Sequence, residues 1–254
     1  ALKEFSPGPI QTYRGIVADT PGSIVAASTD GLLLHAKIIM PDGRRYWIQP
    51  TLEGIVGARD RNLHVVYGSN DMLRSTVNCG TPDSVDPPPE YLGSTSSTTG
   101  RCPTGLCIAE IACDTDVEYY VAYGRSMPTV ESRVNAIENR INMIINGLNV
   151  EYEREVKIRH VISTIIVRVE EPDPYCATNT FGLWNQFRNQ WVNVHPNLFP
   201  NVAQLFSGKS DLDPKFGNGL ASIGTICNRE RGFSVVVPLA GGLCLSDECA
   251  MNLS

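Results

Sequence analysis

Four histidines, eight cysteines and several paired carboxylates are the residues with which this chain could do chemistry. Zinc held on one helix needs imidazoles four residues apart, so that both leave the same face, and no two of His35, His64, His160 and His195 have that spacing. Structural roles are therefore expected for His160, inside a run of strand-forming residues, and for His195, which precedes Pro196 in a loop. The pairs Asp114/Asp116 and Glu170/Glu171 are expected to be solvated strand ends rather than a general acid and base. No GxSxG, Walker loop or GxGxxG occurs, so the local cues of a serine hydrolase, an NTPase and a dinucleotide enzyme are missing. Cysteines stand at 79, 102, 107, 113, 176, 227, 244 and 249, with no CxxC pair. Their even number points to an oxidising compartment and hence to secretion, with a set of buried free thiols as the alternative.

The elements that must position these groups fall into two stretches. Residues 81–104 combine Pro87-Pro88-Pro89 with a Ser/Thr-rich run from Ser94 to Thr99, too little apolar surface to offset their ordering entropy. We read them as a linker between a first domain, 1–80, and a second, 105–254. The first is β-rich. Leu32–Ile39 and Arg44–Gln49 flank the turn Pro41-Asp42-Gly43 as a hairpin, and Ile16–Ala18, Ser23–Ala27 and Leu63–Tyr67 are further short strands. The second is α/β. Apolar residues at 130, 134, 137, 141, 144, 145, 148 and 152 recur at steps of three and four, which predicts a helix over 129–153 capped by Thr129. A short strand at Ile108–Ala112 precedes it and a long one at Ile158–Val169 follows, the sequence of a βαβ crossover with a parallel pair. Leu183, Trp184, Phe187 and Trp191 share a second helical face, over about 178–192, before strands at Val202–Phe206 and Leu220–Ile226. The order βαβαββ predicts a mixed, twisted sheet with flanking helices.

Composition excludes some partners. Hydrophobic residues make up 42% of the chain and charged ones 19%, as in an ordinary globular protein. The formal charge is −6 with no cluster of Lys and Arg, so the electrostatic footprint of a nucleic-acid binder is missing. No apolar run approaches the roughly 18 residues of a membrane span. The first residues, Ala1–Phe5, include neither an initiator Met nor an apolar core, so any signal peptide is expected to have been removed or never to have been part of this sequence.

Several segments, in order, resemble a reprolysin (adamalysin-type) zinc metalloprotease precursor. They are Glu110–Tyr120, the helix with Val130–Arg133 and Asn149–Glu155, Ile158–Ile162, Leu183–Arg188, Val202–Lys209 and Gly219–Cys227, about 120 consecutive residues in all. Upstream, Tyr13–Val17, Pro21–Ala26, Asp30–Leu32, Tyr46–Pro50 and His64–Tyr67 look like that family's propeptide. The resemblance implies a zincin upper subdomain preceded by a small β-rich propeptide-like domain, secretion, zinc in the complete family member, and peptide-bond hydrolysis by a zinc-activated water. It also implies that an edge strand matching Gly219, Leu220, Ala221, Ser222 and Ile223 pairs with an extended peptide or protein substrate by β-augmentation. Gly219 would permit close backbone approach, though a simple turn after Asn218 fits the sequence equally. Cys79, before Gly80, falls where such propeptides carry a cysteine switch; an ordinary disulfide half or a free thiol is the alternative.

The sequence departs from the family at its chemical centre. The family's helix HExxHxxGxxH is missing, and no histidine follows His195. The expectation is therefore no catalytic residue and no metal ligand in this chain. Two explanations stand: an incomplete gene product whose catalytic helix is cut off or scrambled, or a non-catalytic pseudoprotease that binds proteins or peptides. Substrate identity, disulfide connectivity and oligomeric state are not legible.

Overall fold

The computed structural model describes residues 5–29, 33–51, 59–60, 62–72, 105–125, 127–198, 200–213 and 218–237. The 81–104 stretch and Cys79 lie outside the described residues. The protein is mixed α/β, with two five-stranded sheets.

The first sheet is an antiparallel meander of β1 (Thr12–Gly15), β2 (Ile24–Thr29), β3 (Leu34–Ile39), β4 (Arg45–Pro50) and β5 (His64–Gly68), paired in chain order. The Pro41-Asp42-Gly43 turn closes β3 onto β4 as its sequence predicts: Gly43 takes φ +86°, and its N–H donates to the Met40 carbonyl at 2.9 Å. The strand expected at 16–18 begins instead at Thr12. Val17 belongs to a turn, in which its carbonyl accepts from Thr20 N and its N–H donates to Ser23 Oγ, with Asp19 at φ +59°.

The second unit runs β6 (Cys107–Thr115), α1 (Val117–Gly124), α2 (Val130–Glu155), β7 (Ile158–Val167), α3 (Thr180–Val194), β8 (Val202–Phe206), β9 (Gly219–Ala221) and β10 (Phe233–Val236). Its sheet has the order β7-β6-β8-β10-β9, parallel except for β9 at the edge. The expected βαβ pair is present, since β6 and β7 are adjacent and parallel with α2 between them in sequence. Thr129 caps α2, its Oγ1 accepting from Ser132 N while Ser132 Oγ returns to the Thr129 backbone. Lys157 at φ +58° then turns the chain into β7.

The layers are stacked as sheet, helices, sheet, helix. On one side of the second sheet, Val134, Ile137, Ile141, Ile144, Ile145 and Leu148 of α2 join Tyr119 and Tyr120 of α1 against Ile111, Cys113, Phe206 and Val236. On the other, Leu183, Phe187 and Trp191 of α3 cover Ala112, Ile166, Ala203, Leu205 and Val235. The first sheet sits on the opposite face of α2, where Ala26 and Ile39 meet Val150.

Three expectations need correction. Glu110–Tyr120 is strand followed by helix, and α1 has no counterpart in the sequence reading. Strand Leu220–Ile226 is only Gly219–Ala221, because Gly224 (φ +69°) and Cys227 (φ +64°) turn the chain away and Thr225 Oγ1 donates to the Ser222 carbonyl. Phe233–Val236, unassigned by sequence, is a buried strand between β8 and β9.

Candidate functional site

The C-terminal ends of parallel strands are where α/β sheets place their sites, and here β6, β8 and β10 end close together. Asp114, expected to be solvated, is fully buried. Its carboxylate accepts from Arg168 Nε (3.0 Å) and Nη2 (2.8 Å), Tyr175 Oη (2.6 Å) and Trp191 Nε1 (3.0 Å). A bidentate guanidinium and two neutral donors replace the water that such a charge loses on burial. Burial works against the Arg168 charge, but Asp114 outweighs it and raises the guanidinium pKa. Burial, with the Asp114 charge, also pushes the Tyr175 phenol far up.

Asp116 is likewise fully buried, again in contrast to a solvated strand end. It caps α1: Oδ1 accepts from Tyr119 N and Gly208 N, each at 2.8 Å, and Oδ2 from the Ser207 hydroxyl. Burial pushes its pKa up to about 6 against those three hydrogen bonds. The fit leaves no room for a side chain at Gly208, where a Cβ would lie 2.2 Å from Tyr119 N. Both carboxylates are thus used internally, one to hold α3 and one to hold α1.

Beside them, Glu118, Glu171 and Asp173 bring one carboxylate oxygen each within 4.8 Å of one another, a set that could hold a metal ion. Three carboxylates suit a hard cation taken by oxygen rather than zinc. Each also has work in the fold: Glu118 Oε1 pairs with Lys209 Nζ, Asp173 accepts from Val117 N and Tyr175 N, and Glu171 accepts from Asp173 N.

The four histidines are not brought together as ligands. His35 lies on β3, His64 on β5, His160 on β7 and His195 just after α3. His64 Nε2 accepts from Leu34 N, and the His160 backbone is bracketed by the Asn149 amide. His160 also stands edge-on to Tyr152, and His195 to Trp191. Burial lowers the pKa of both. The described residues therefore do not fit the zinc site that the family resemblance implies.

The cysteines divide by environment. Cys107 is disulfide-bonded. Cys113 is a buried free thiol whose ionisation burial suppresses. Cys176 and Cys227 are free and exposed, their Sγ atoms accepting from Gln186 Nε2 and Asn201 Nδ2.

The proposed substrate strand, Gly219 to Ile223, is split. Gly219, Leu220 and Ala221 form β9 opposite Val236, Val235 and Ser234, and no described strand pairs with its other side. Asn218 O accepts from Val237 N, so alternation directs the Leu220 backbone toward β10 and the Gly219 backbone away from it. Gly219 is buried, Leu220 and Ala221 half-buried. Ser222 and Ile223 lie in the following turn, with Ile223 and Ile226 about half exposed at 51% and 50%. Nearby, a cleft of about 240 Å³ opens between the end of α3 and the 228–232 turn, walled by Trp191, Pro196, Leu198 and Phe233. Among the described residues no helix is long and apolar enough to cross a membrane. Set against models of known protein families and against curated proteins, the chain matches none.

Proposed function

We propose that this chain is a secreted, reprolysin-like scaffold that binds extended peptide along β9 and does not hydrolyse it. The observation that carries the reading is β9 itself: a short antiparallel edge on an otherwise parallel sheet, lying on the residues that the family resemblance assigns to substrate. An edge of this kind recognises a peptide by its main chain, and neighbouring apolar side chains such as Ile223 supply selectivity. The first sheet takes the place of the propeptide, and the second sheet with α1, α2 and α3 that of the zincin upper subdomain. The disulfide at Cys107 supports an oxidising compartment.

The dispersal of the four histidines over β3, β5, β7 and the end of α3 supports a binding role for these elements rather than zinc ligation by them. The test is fluorescence anisotropy with a labelled decapeptide of alternating serine and valine, run beside a quenched-peptide assay with and without Zn²⁺. Saturable binding without turnover is expected. Absence of binding would overturn the peptide-binding reading; chelator-sensitive turnover would restore a catalytic one.

A further inference from the structure

The second sheet ends on two strands of unequal length, β9 with three residues and β7 with ten. A long edge strand presents a row of main-chain N–H and C=O groups to any chain that could pair with it, and proline or lysine on the edge is a usual defence. β7 has neither: it is dense in β-branched residues, and its one formal charge is Arg159. β6 and β7 pair in parallel, with Cys107 opposite Ile158, Ala109 opposite His160 and Ile111 opposite Ile162, and Cys107 N donates to the Lys157 carbonyl at 2.8 Å. Cys107, Ala109 and Ile111 thus turn their main-chain groups to β7, and by alternation Ile158, His160 and Ile162 turn theirs away from β6. The middle one of these three is already answered. Asn149 of α2 accepts from His160 N through Oδ1 at 2.7 Å and donates from Nδ2 to the His160 carbonyl at 2.8 Å. One carboxamide therefore makes both bonds that a residue of a further strand would make. Asn149 stands in an otherwise apolar, buried run of α2, Gly147-Leu148-Asn149-Val150, and is itself 6% exposed, against 7% for His160.

We propose that Asn149 guards the β7 edge: its carboxamide fills the strand position beside β7 and keeps the chain from pairing there with a second copy of itself. The two ends of the strand make a second copy the fitting partner. Lys157 and Arg159 are exposed at its start, Arg159 bridged to Glu153 of its own chain, and Glu170 and Glu171 are exposed just past its end. Two β7 strands laid antiparallel about a two-fold axis would set the basic start of each against the acidic end of the other. The edge is thus complementary to itself in charge, and β-branched residues would face one another between the charged ends. Val161, 44% exposed, is an apolar side chain on the strand that such a neighbour would flank. With the His160 N–H and C=O both occupied, the ladder that would join the copies is interrupted at its first half. The inference does not depend on the peptide-binding reading, since it needs no ligand at β9.

The test is Asn149→Ala in the full chain, which empties the position beside His160. Sedimentation velocity is measured over roughly 1–100 μM protein. The parent should keep one sedimentation coefficient throughout, while that of the variant rises with concentration as copies pair. Amide exchange locates the contact: the outward N–H groups of Ile158 and Ile162 should exchange more slowly in concentrated than in dilute variant. Adding Val161→Lys should return the coefficient to that of the parent, because a lysine on an exposed edge opposes strand pairing. Should Asn149→Ala fail to fold, as read by circular dichroism, Asn149→Ser carries the same test with a weaker association, its hydroxyl being too short to make both bonds. A folded variant that is only less stable, with a coefficient independent of concentration, overturns the proposal and leaves Asn149 as an internal bond. Association that survives Val161→Lys overturns it as well, by placing the contact elsewhere.

Discussion

Asp114 and Asp116 are two residues apart, fully buried, and stabilised by opposite means. Asp114 is met by a bidentate arginine, so Asp114→Asn takes from the Arg168 guanidinium the carboxylate that both its nitrogens donate to. Urea titration should show a loss of about 3–5 kcal/mol; a loss under about 1 kcal/mol would mean that the network does not hold α3 in place. Asp116 meets no arginine, and burial raises its folded pKa from 3.8 to about 6. The native state therefore binds its proton more tightly than the unfolded chain does. Stability from Asp116 is fully present below pH 3.8 and is lost as pH rises through about 6. Relative to Asp116→Asn, the parent should lose up to about 3 kcal/mol between pH 4 and 7. Parallel stability curves for the two proteins would contradict this. Neither burial was legible in the sequence. The partners of Asp114 lie 54, 61 and 77 residues away, and Ser207 lies 91 from Asp116.

At the scale of elements, legibility follows the length of the repeating pattern. Helix α2 extends over 26 residues with an unbroken apolar stripe, and the strand after it is dense in isoleucine and valine, so β6, α2 and β7 emerge from periodicity alone. Helix α1 has only 8 residues, and its cap, Asp116, reads like any other acid in an acidic stretch. Strand β10 is four residues long, and β9 is shorter than its sequence predicts because a left-handed cysteine has no sequence signature. The stripe on α2 makes a direct prediction. Ile141 is fully buried and Ile144 nearly so, and truncating either to Ala should cost about 2–5 kcal/mol in denaturant titration. Gly208→Ala should cost about 1–3 kcal/mol or more, because the new methyl group meets the α1 backbone rather than a flexible side chain. A neutral Gly208→Ala would mean that α1 is free to shift.

For the whole molecule, the protein is mixed α/β with two sheets, and their stacking on opposite faces of α2 depends on pairs such as Arg45 and Glu151, 106 residues apart. No local pattern encodes such a meeting. Peptide pairing with the far edge of the second sheet is tested most directly by amide hydrogen exchange with and without the serine/valine decapeptide. Addition of a strand to β9 should slow exchange at Gly219, whose backbone faces away from β10, and leave β7, the opposite edge of the same sheet, unchanged. Unchanged exchange at β9 under saturating peptide, or equal slowing along Ile158–Val167, would contradict the assignment of the site to β9.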